Sequence, residues 1–246
     1  MDALVLGGGR RDRLARAYGA PSKAFIHVAA RPMASWVISA LREAGVGRVA
    51  FVGPRGRLEP APDLWVNDKG GLIENVEAGL SALAPRGRVI VATADIPLLT
   101  AEAVRYLVEN APEAALVYPI VPKEAVEARF PGMKRTYARL VEGVFTGGNV
   151  VILDPKLLER AWAVARRVAA WRKNPLVLAT LFGVDKLVKL LLGRLTVAEL
   201  ERHAERVLGV PARALITPYP EIGVDVDDLD DAELVARELL RRLDVA

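Results

Sequence analysis

The run Val89-Ile90-Val91-Ala92-Thr93 ends in Ala94-Asp95-Ile96-Pro97-Leu98-Leu99 and reads as a buried strand that delivers one carboxylate to its C-terminal edge. In an open α/β sheet, ligands bind at that edge. A carboxylate there suits Mg²⁺, which takes hard oxygen donors and often bridges to phosphates. It equally suits a cap for a helix beginning near Thr100. A second set of acids lies in Glu221-Ile-Gly-Val-Asp225-Val-Asp227-Asp228-Leu-Asp230-Asp231. Asp230 and Asp231 read as first-turn residues of a closing helix, where they complement the dipole. Asp225 and Asp227 alternate on a strand-like segment and so share a face. One or both, with Asp95, could form a magnesium site.

Gly7-Gly8-Gly9 follows the first apolar strand, Ala3-Leu4-Val5-Leu6. Glycines there let backbone N–H groups approach a phosphate, or simply make a tight turn. A dinucleotide fingerprint needs a third glycine where Asp12 stands and an acid near Pro32, and a Walker loop needs Gly-Lys-Ser/Thr where Arg13-Leu14-Ala15 stands. The loop is neither. Lys23, in Ser22-Lys23-Ala24-Phe25, could fold back over the glycines as a point charge, or be an ordinary surface lysine.

These residues need a scaffold, and the chain alternates strand and helix to supply one. Strands are expected at Met1–Gly7, Arg48–Gly53, Leu64–Val66, Arg88–Thr93 and Ala114–Val121, and helices at Pro32–Ala44, Glu74–Leu83 and Thr100–Asn110. The alternation argues for a three-layer α/β/α, mostly parallel, Rossmann-like sheet. Phe145–Asp154 reads as a further strand, entered through Thr146-Gly147-Gly148. A helical insert over 155–210 follows within the same single domain, 1–246. Its helices are Pro155–Trp171, one opening at Asn174-Pro175 and running to about Leu192, and one led by the capping box Thr196-Val-Ala-Glu199. Strands at Ala214–Tyr219 and Ile222–Val226 and a helix over Asp231–Leu243 close the chain.

Composition narrows the chemistry. There is no cysteine, which excludes thiol nucleophiles and Cys-ligated zinc, and His27 and His203 alone cannot make a His-rich metal site. His27 reads as a structural strand residue. The net charge of +4 comes with arginines spread over helices and no interleaved aromatics, so no nucleic-acid partner is expected. Leu176–Leu192 carries Asp185, Lys186 and Lys189 and is short for a membrane span, so no membrane partner is expected; a buried helix or a homodimer contact is. A cytoplasmic location fits an N-terminus without a basic and then apolar leader. The absence of glutamine and the many Arg and Glu residues suit a thermophile, as does high-GC codon bias.

The motifs together resemble those of the MobA-like nucleotidyltransferases, a GT-A-fold group that includes molybdenum-cofactor and sugar-phosphate nucleotidyltransferases. The first motif stands as Leu4-Val-Leu-Gly7-Gly8-Gly9, then Lys23, then Ala30-Arg31-Pro32-Met33; the second as Thr93-Ala94-Asp95-Ile96-Pro97. A helix start, Gly70-Gly71-Leu-Ile-Glu74-Asn75-Val-Glu-Ala-Gly79, lies between the two. Asp225-Val-Asp227-Asp228-Leu-Asp230-Asp231 is similar to the closing acidic motif, and Thr146-Gly147-Gly148-Asn149 to the acceptor-side segment. The Arg-Met-Gly usual before the lysine is absent, and Arg10, Arg11, Arg13 and Arg16 are its candidate substitutes.

The resemblance implies an enzyme of the nucleotidyltransferase type (EC 2.7.7). It would transfer a nucleoside monophosphate from a nucleoside triphosphate to a small phosphorylated acceptor and release pyrophosphate. Lys23 and Asp95 would be catalytic; Leu6, Gly7, Gly8, Gly9, Lys23, Asn75 and Gly79 would bind nucleotide; Gly148 and Asn149 would meet the acceptor; Asp95, Asp225 and Asp227 would hold Mg²⁺. Two alternatives remain: a nucleotide-binding regulator without catalysis, and a glycosyltransferase of the same fold, which would carry an acid where Pro97 stands.

Overall fold

The computed structural model describes residues 1–9, 13–158, 161, 162, 164, 166 and 183–244. In chain order the strands are β1 (Asp2–Leu6), β2 (His27–Val28), β3 (Arg31–Pro32), β4 (Val49–Val52), β5 (Leu64–Val66), β6 (Val89–Thr93), β7 (Leu116–Pro122), β8 (Ala138–Leu140), β9 (Gly143–Gly147), β10 (Val150–Leu153) and β11 (Ala212–Ile216). The helices are α1 (Arg13–Ala17), α2 (Met33–Glu43), α3 (Leu72–Leu83), α4 (Ala101–Asn110), α5 (Lys123–Arg129), α6 (Pro155–Leu158), α7 (Val184–Leu191), α8 (Val197–Leu208) and α9 (Leu229–Asp244). Short 3₁₀ turns lie at Lys23–Phe25 and Pro220–Gly223.

The sheet is built outward from β1, whose Ala3, Leu4 and Val5 are wholly buried. A strand covered on both faces must be apolar throughout, which is how β1, β4 and β6 read. Both β4 and β6 run parallel to β1, with Val5 opposite Phe51 on one side and Ala92 on the other. Beyond β6 the strand order is β10 and then β7, with β11 on the far side of β7. Helices α2, α4 and α9 pack on one face over Val5, Phe51 and Ile90. The other face, with Leu4, Val52 and Val91, is covered by α3. The result is a three-layer α/β/α domain with a mixed, mostly parallel sheet.

The strand expected at Phe145–Asp154 is two strands. β9 pairs with the C-terminal end of β7 and β10 with its N-terminal end, and Gly148-Asn149 forms the step between them. Both run antiparallel to β7, and β10 is also antiparallel to β6, so one reversed strand sits inside the parallel array. The strand expected at Ile222–Val226 does not form: Pro220–Gly223 is a 3₁₀ turn, and the residues after it are extended without a ladder. Pro220 fixes φ and lacks an N–H, which favours the turn. Helix α5 and strand β8 carry no clear periodic signal and lie outside the sequence-based expectations.

Of the helical stretch 155–210, the capping box forms as read: the Thr196 hydroxyl accepts from the Glu199 N–H, and the Glu199 carboxylate accepts from the Thr196 N–H. The expected helix start at Asn174-Pro175, the apolar run as far as residue 182 and much of Pro155–Trp171 lie outside the described residues. The rest of that run is not the continuation expected: Gly183, at φ of 79°, caps a fresh helix, α7, and Val188, Leu191 and Leu192 are exposed where a buried helix was expected. Among the described residues no helix is long and apolar enough to cross a membrane.

Two local features tie the scaffold to its upper edge. The β2–β3 hairpin turns through Ala29 and Ala30, both at positive φ (46° and 64°), where L-residues are strained. It is held from α2, where the Trp36 indole N–H donates to the Val28 carbonyl at 3.0 Å and the Arg31 guanidinium stacks 4.3 Å from the Trp36 ring centre. On the other side, Glu238 of α9 gathers Arg129 of α5, Arg241 and Arg242. Arg242 also donates to the Leu98 carbonyl at 2.8 Å, pinning the loop that follows Asp95.

Replacing Ala29-Ala30 by Asn-Gly should raise unfolding free energy by about 1–2 kcal/mol in urea melts, because both residues tolerate the left-handed region. Unchanged stability would show that the hairpin carries no strain. Burial pushes the Glu238 carboxyl up, but hydrogen bonds from Arg129, Arg241 and Arg242 outweigh it and hold the group down at about 2. Its stabilisation is therefore present above its ordinary value of 4.5 and is lost as pH falls through about 2. Glu238→Gln should cost about 2–3 kcal/mol at pH 7, with the difference from wild type shrinking from about pH 4.5 downward. A pH-independent difference would contradict this.

Candidate active site

The glycine loop leaves β1 at the C-terminal edge of the sheet, and each glycine is there for a stated reason. A Cβ on Gly7 would lie 2.3 Å from the Phe51 ring, and one on Gly8 would lie 2.7 Å from the Asp68 carboxyl carbon. Gly9 has φ of 118° and open space around it. The Gly9 N–H donates to the Asp68 carboxylate at 2.7 Å. Asp68 also accepts from the Gly70 N–H and the Asn75 amide, each at 2.8 Å. Burial raises the Asp68 carboxyl, and these three donors more than offset it, leaving it below the usual range.

Asp95 follows β6 at the same edge. Its backbone is fixed from two neighbours: the Ala94 N–H donates to the Leu6 carbonyl at 3.0 Å, and the Val226 N–H donates to the Asp95 carbonyl at 2.9 Å. One Asp95 carboxylate oxygen stands 3.6 Å from the Lys23 ammonium. The other, Oδ1, is buried and has no hydrogen-bond partner among the described residues. Lys23 donates at 2.6 Å to Asp227. Asp225 is held by Arg135, which donates to its side chain and to its main-chain carbonyl. Burial pushes the Asp225 carboxyl up to about 6; Arg135 opposes that rise, and the Asp95 and Asp227 charges reinforce it.

These pieces converge. Asp95, Asp225 and Asp227 each present a carboxylate oxygen within 4.8 Å of the others. The adjoining cleft, about 190 Å³, is lined by the glycine loop, Ser22, Lys23, Thr93 and Asp95. In it the hydroxyls of Ser22 and Thr93 are, like Asp95 Oδ1, buried without a hydrogen-bond partner among the described residues. Buried polar atoms are ordinarily paired, so three unpaired oxygens in one cleft mark a place built for a ligand. Clustered hard oxygen donors fit Mg²⁺ chemistry. Larger depressions of about 820 and 770 Å³ lie by Arg48 and Arg86 and by Tyr18 and Arg57, and neither contains this carboxylate cluster.

The other expected site residues divide. Leu6 lines the cleft beside the glycines. Asn75 is 4% exposed, and its side chain is committed to Asp68 and to the Lys69 N–H. Gly79 lies in the core: a Cβ there would meet Leu4 at 2.3 Å, so this glycine lets α3 approach the sheet and does not reach the cleft. Gly148 packs against Ile222 and Pro119. The main chain of Asn149 joins β6 to the Pro220–Gly223 turn, accepting from the Thr93 N–H and donating to the Ile222 carbonyl. His27 is an exposed strand residue, Arg13 and Arg16 lie on α1, and Arg10 and Arg11 lie outside the described residues. Asp68 and Arg135 are site residues that sequence reasoning misses. Asp68 sits just before the Gly70-Gly71 turn, a weak signal; Arg135, in an irregular loop 90 residues from Asp225, offers none.

The chain matches the MobA-like NTP transferase domain over residues 3–209 and belongs to that family. No curated protein matches it. A hypothetical transferase from Thermus thermophilus is 55% identical, with a TM-score of 0.89 over 94% of this chain and 99% of that one. At 16% identity, a nucleotidyl transferase from Methanothermobacter thermautotrophicus shares the fold, with a TM-score of 0.60 over 98% of each chain. So does a 2-C-methyl-D-erythritol 4-phosphate cytidylyltransferase, also from Thermus thermophilus, at 17% identity and a TM-score of 0.53 over 98% of this chain and 100% of that one.

An anion bound at the Gly9 N–H has to displace the Asp68 carboxylate. Asp68→Asn, which removes the charge at nearly constant volume, should therefore tighten binding of inorganic tripolyphosphate several-fold by calorimetry. Equal or weaker binding would show that the carboxylate does not compete for the loop.

Proposed function

We propose that this member of the MobA-like NTP transferase family is a Mg²⁺-dependent nucleotidyltransferase. It moves a nucleoside monophosphate from a nucleoside triphosphate to a small phosphorylated acceptor. The observation that carries the reading is the convergence of three carboxylates, one of which, Asp95, lines the cleft of the glycine loop and Lys23 and holds an unpartnered buried oxygen there.

In the reaction, an oxygen of the acceptor phosphate attacks the α-phosphorus. A new P–O bond forms, the bond from the α-phosphorus to the bridging β-phosphate oxygen breaks, and pyrophosphate leaves with the electron pair. An acceptor phosphate is already ionised at neutral pH, so no general base is required. The protein's work is positioning and charge neutralisation. Glycine-loop N–H groups and Lys23 bind the phosphates, and Lys23 neutralises charge gathering on the leaving pyrophosphate. The Asp68–Asn75 turn borders the base and ribose, while Gly148 and Asn149 border the acceptor. Asp95, with Asp225 and Asp227, would hold Mg²⁺, which would supply positive charge to the reacting phosphates.

Thermal melts with each of the four nucleoside triphosphates, with and without Mg²⁺, test this. At least one should raise the melting temperature only when Mg²⁺ is present, since a ligand of the native state stabilises it by mass action. Asp95→Asn should keep the fold and lose the Mg²⁺-dependent part of that rise. No rise with any triphosphate, or a rise that the variant leaves intact, would refute the reading.

A further inference from the structure

Asp225 reaches the carboxylate cluster from the segment between the Pro220–Gly223 turn and α9. The extended stretch around it belongs to no strand. Its neighbours are tethered singly: the Val226 N–H to the Asp95 carbonyl, and the Asp227 N–H to the Asp231 carboxylate at 3.0 Å. Asp225 itself is met by Arg135, from the loop between α5 and β8. One guanidinium nitrogen donates to the Asp225 carboxylate, and the other donates to the Asp225 main-chain carbonyl. That second nitrogen also lies 3.8 Å from the Asp231 carboxylate. The Arg135 side chain is only 6% exposed.

We propose that Arg135 is a positioning residue for the metal-binding cluster: its two-point grip on Asp225 fixes the direction in which that carboxylate faces Asp95 and Asp227. The inference rests on the Mg²⁺ site proposed above. Charge alone does not explain the arrangement. Lys23 already serves the Asp95 and Asp227 side of the cluster, and a point charge opposite Asp225 would neutralise it without orienting it. A planar fork bonded to both side chain and main chain leaves the carboxylate little freedom to rotate. Metal-binding carboxylates are commonly held by such outer partners, and losing one lowers metal affinity about 10- to 100-fold.

The test uses Mn²⁺ as the probe and the full chain, with free Mn²⁺ followed by electron paramagnetic resonance. Four proteins are compared: wild type, Asp95→Asn, Arg135→Lys and Arg135→Met. Arg135→Lys keeps a charge opposite Asp225 and Asp231 but loses the fork, so it should melt near wild type and still bind Mn²⁺ at least tenfold more weakly. Arg135→Met should bind as weakly or more so. Wild-type Mn²⁺ affinity in folded Arg135→Lys would overturn the positioning role and leave the metal site standing. Mn²⁺ binding that survives Asp95→Asn would instead overturn the metal site, and the role of Arg135 with it.

Discussion

Three carboxylates within 4.8 Å of one another, two of them half-buried, repel strongly. At that spacing and an effective dielectric near 20, each ionised pair costs about 3 kcal/mol. Much of the upper edge of the fold is arranged around that repulsion. Lys23 stands between Asp95 and Asp227, and Arg135 stands against Asp225. The cluster keeps more negative charge than these two cations balance, and the rise of Asp225 to about 6, led by its burial, is reinforced by that excess. A divalent cation is the natural complement.

The scaffold answers with short, redundant tethers between elements distant in sequence. The reversed strand β10 separates β6 from β7, and the step before it lets the Asn149 carbonyl reach the Thr93 N–H next to Asp95. Helix α9 then acts at both ends. Near its start Asp231 accepts from the Asp227 N–H, and near its end Arg242 holds the Leu98 carbonyl. Between them Ala232, Val235 and Leu239 pack into the core. The carboxylates are thus carried by loops, but loops fastened to a buried helix and to the central strands.

Much of this was legible in the sequence because local physics decided it. The apolar runs of β1, β4 and β6 had to be buried strands, and the Thr196–Glu199 box had to start a helix. Asp95, Lys23 and the glycines were legible because they lie in motifs that follow strand ends or face them. What escaped was set by tertiary context. The direction of β10 is imposed by its neighbours, since an antiparallel strand reads like a parallel one when both faces are covered. Ile222–Val226 alternates like a strand, but Pro220 begins a turn and leaves the segment without a ladder. Gly79, expected at the nucleotide site, packs close to Leu4 and Val52, neighbours that no spacing rule reveals. Arg135 and Asp68 meet their partners across long stretches of chain that no spacing rule connects.

The attachment of α9 also bears on how the protein comes into being on the ribosome. The glycine loop, Lys23 and Asp95 emerge early, while Asp225, Asp227 and Asp231 emerge long after them. A nascent chain that has emerged through Asp95 carries every residue that lines the cleft, yet it lacks two of the three clustered acids until the segment leading into α9 has left the tunnel. The carboxylate cluster is therefore a late product of synthesis, complete only once that helix has docked.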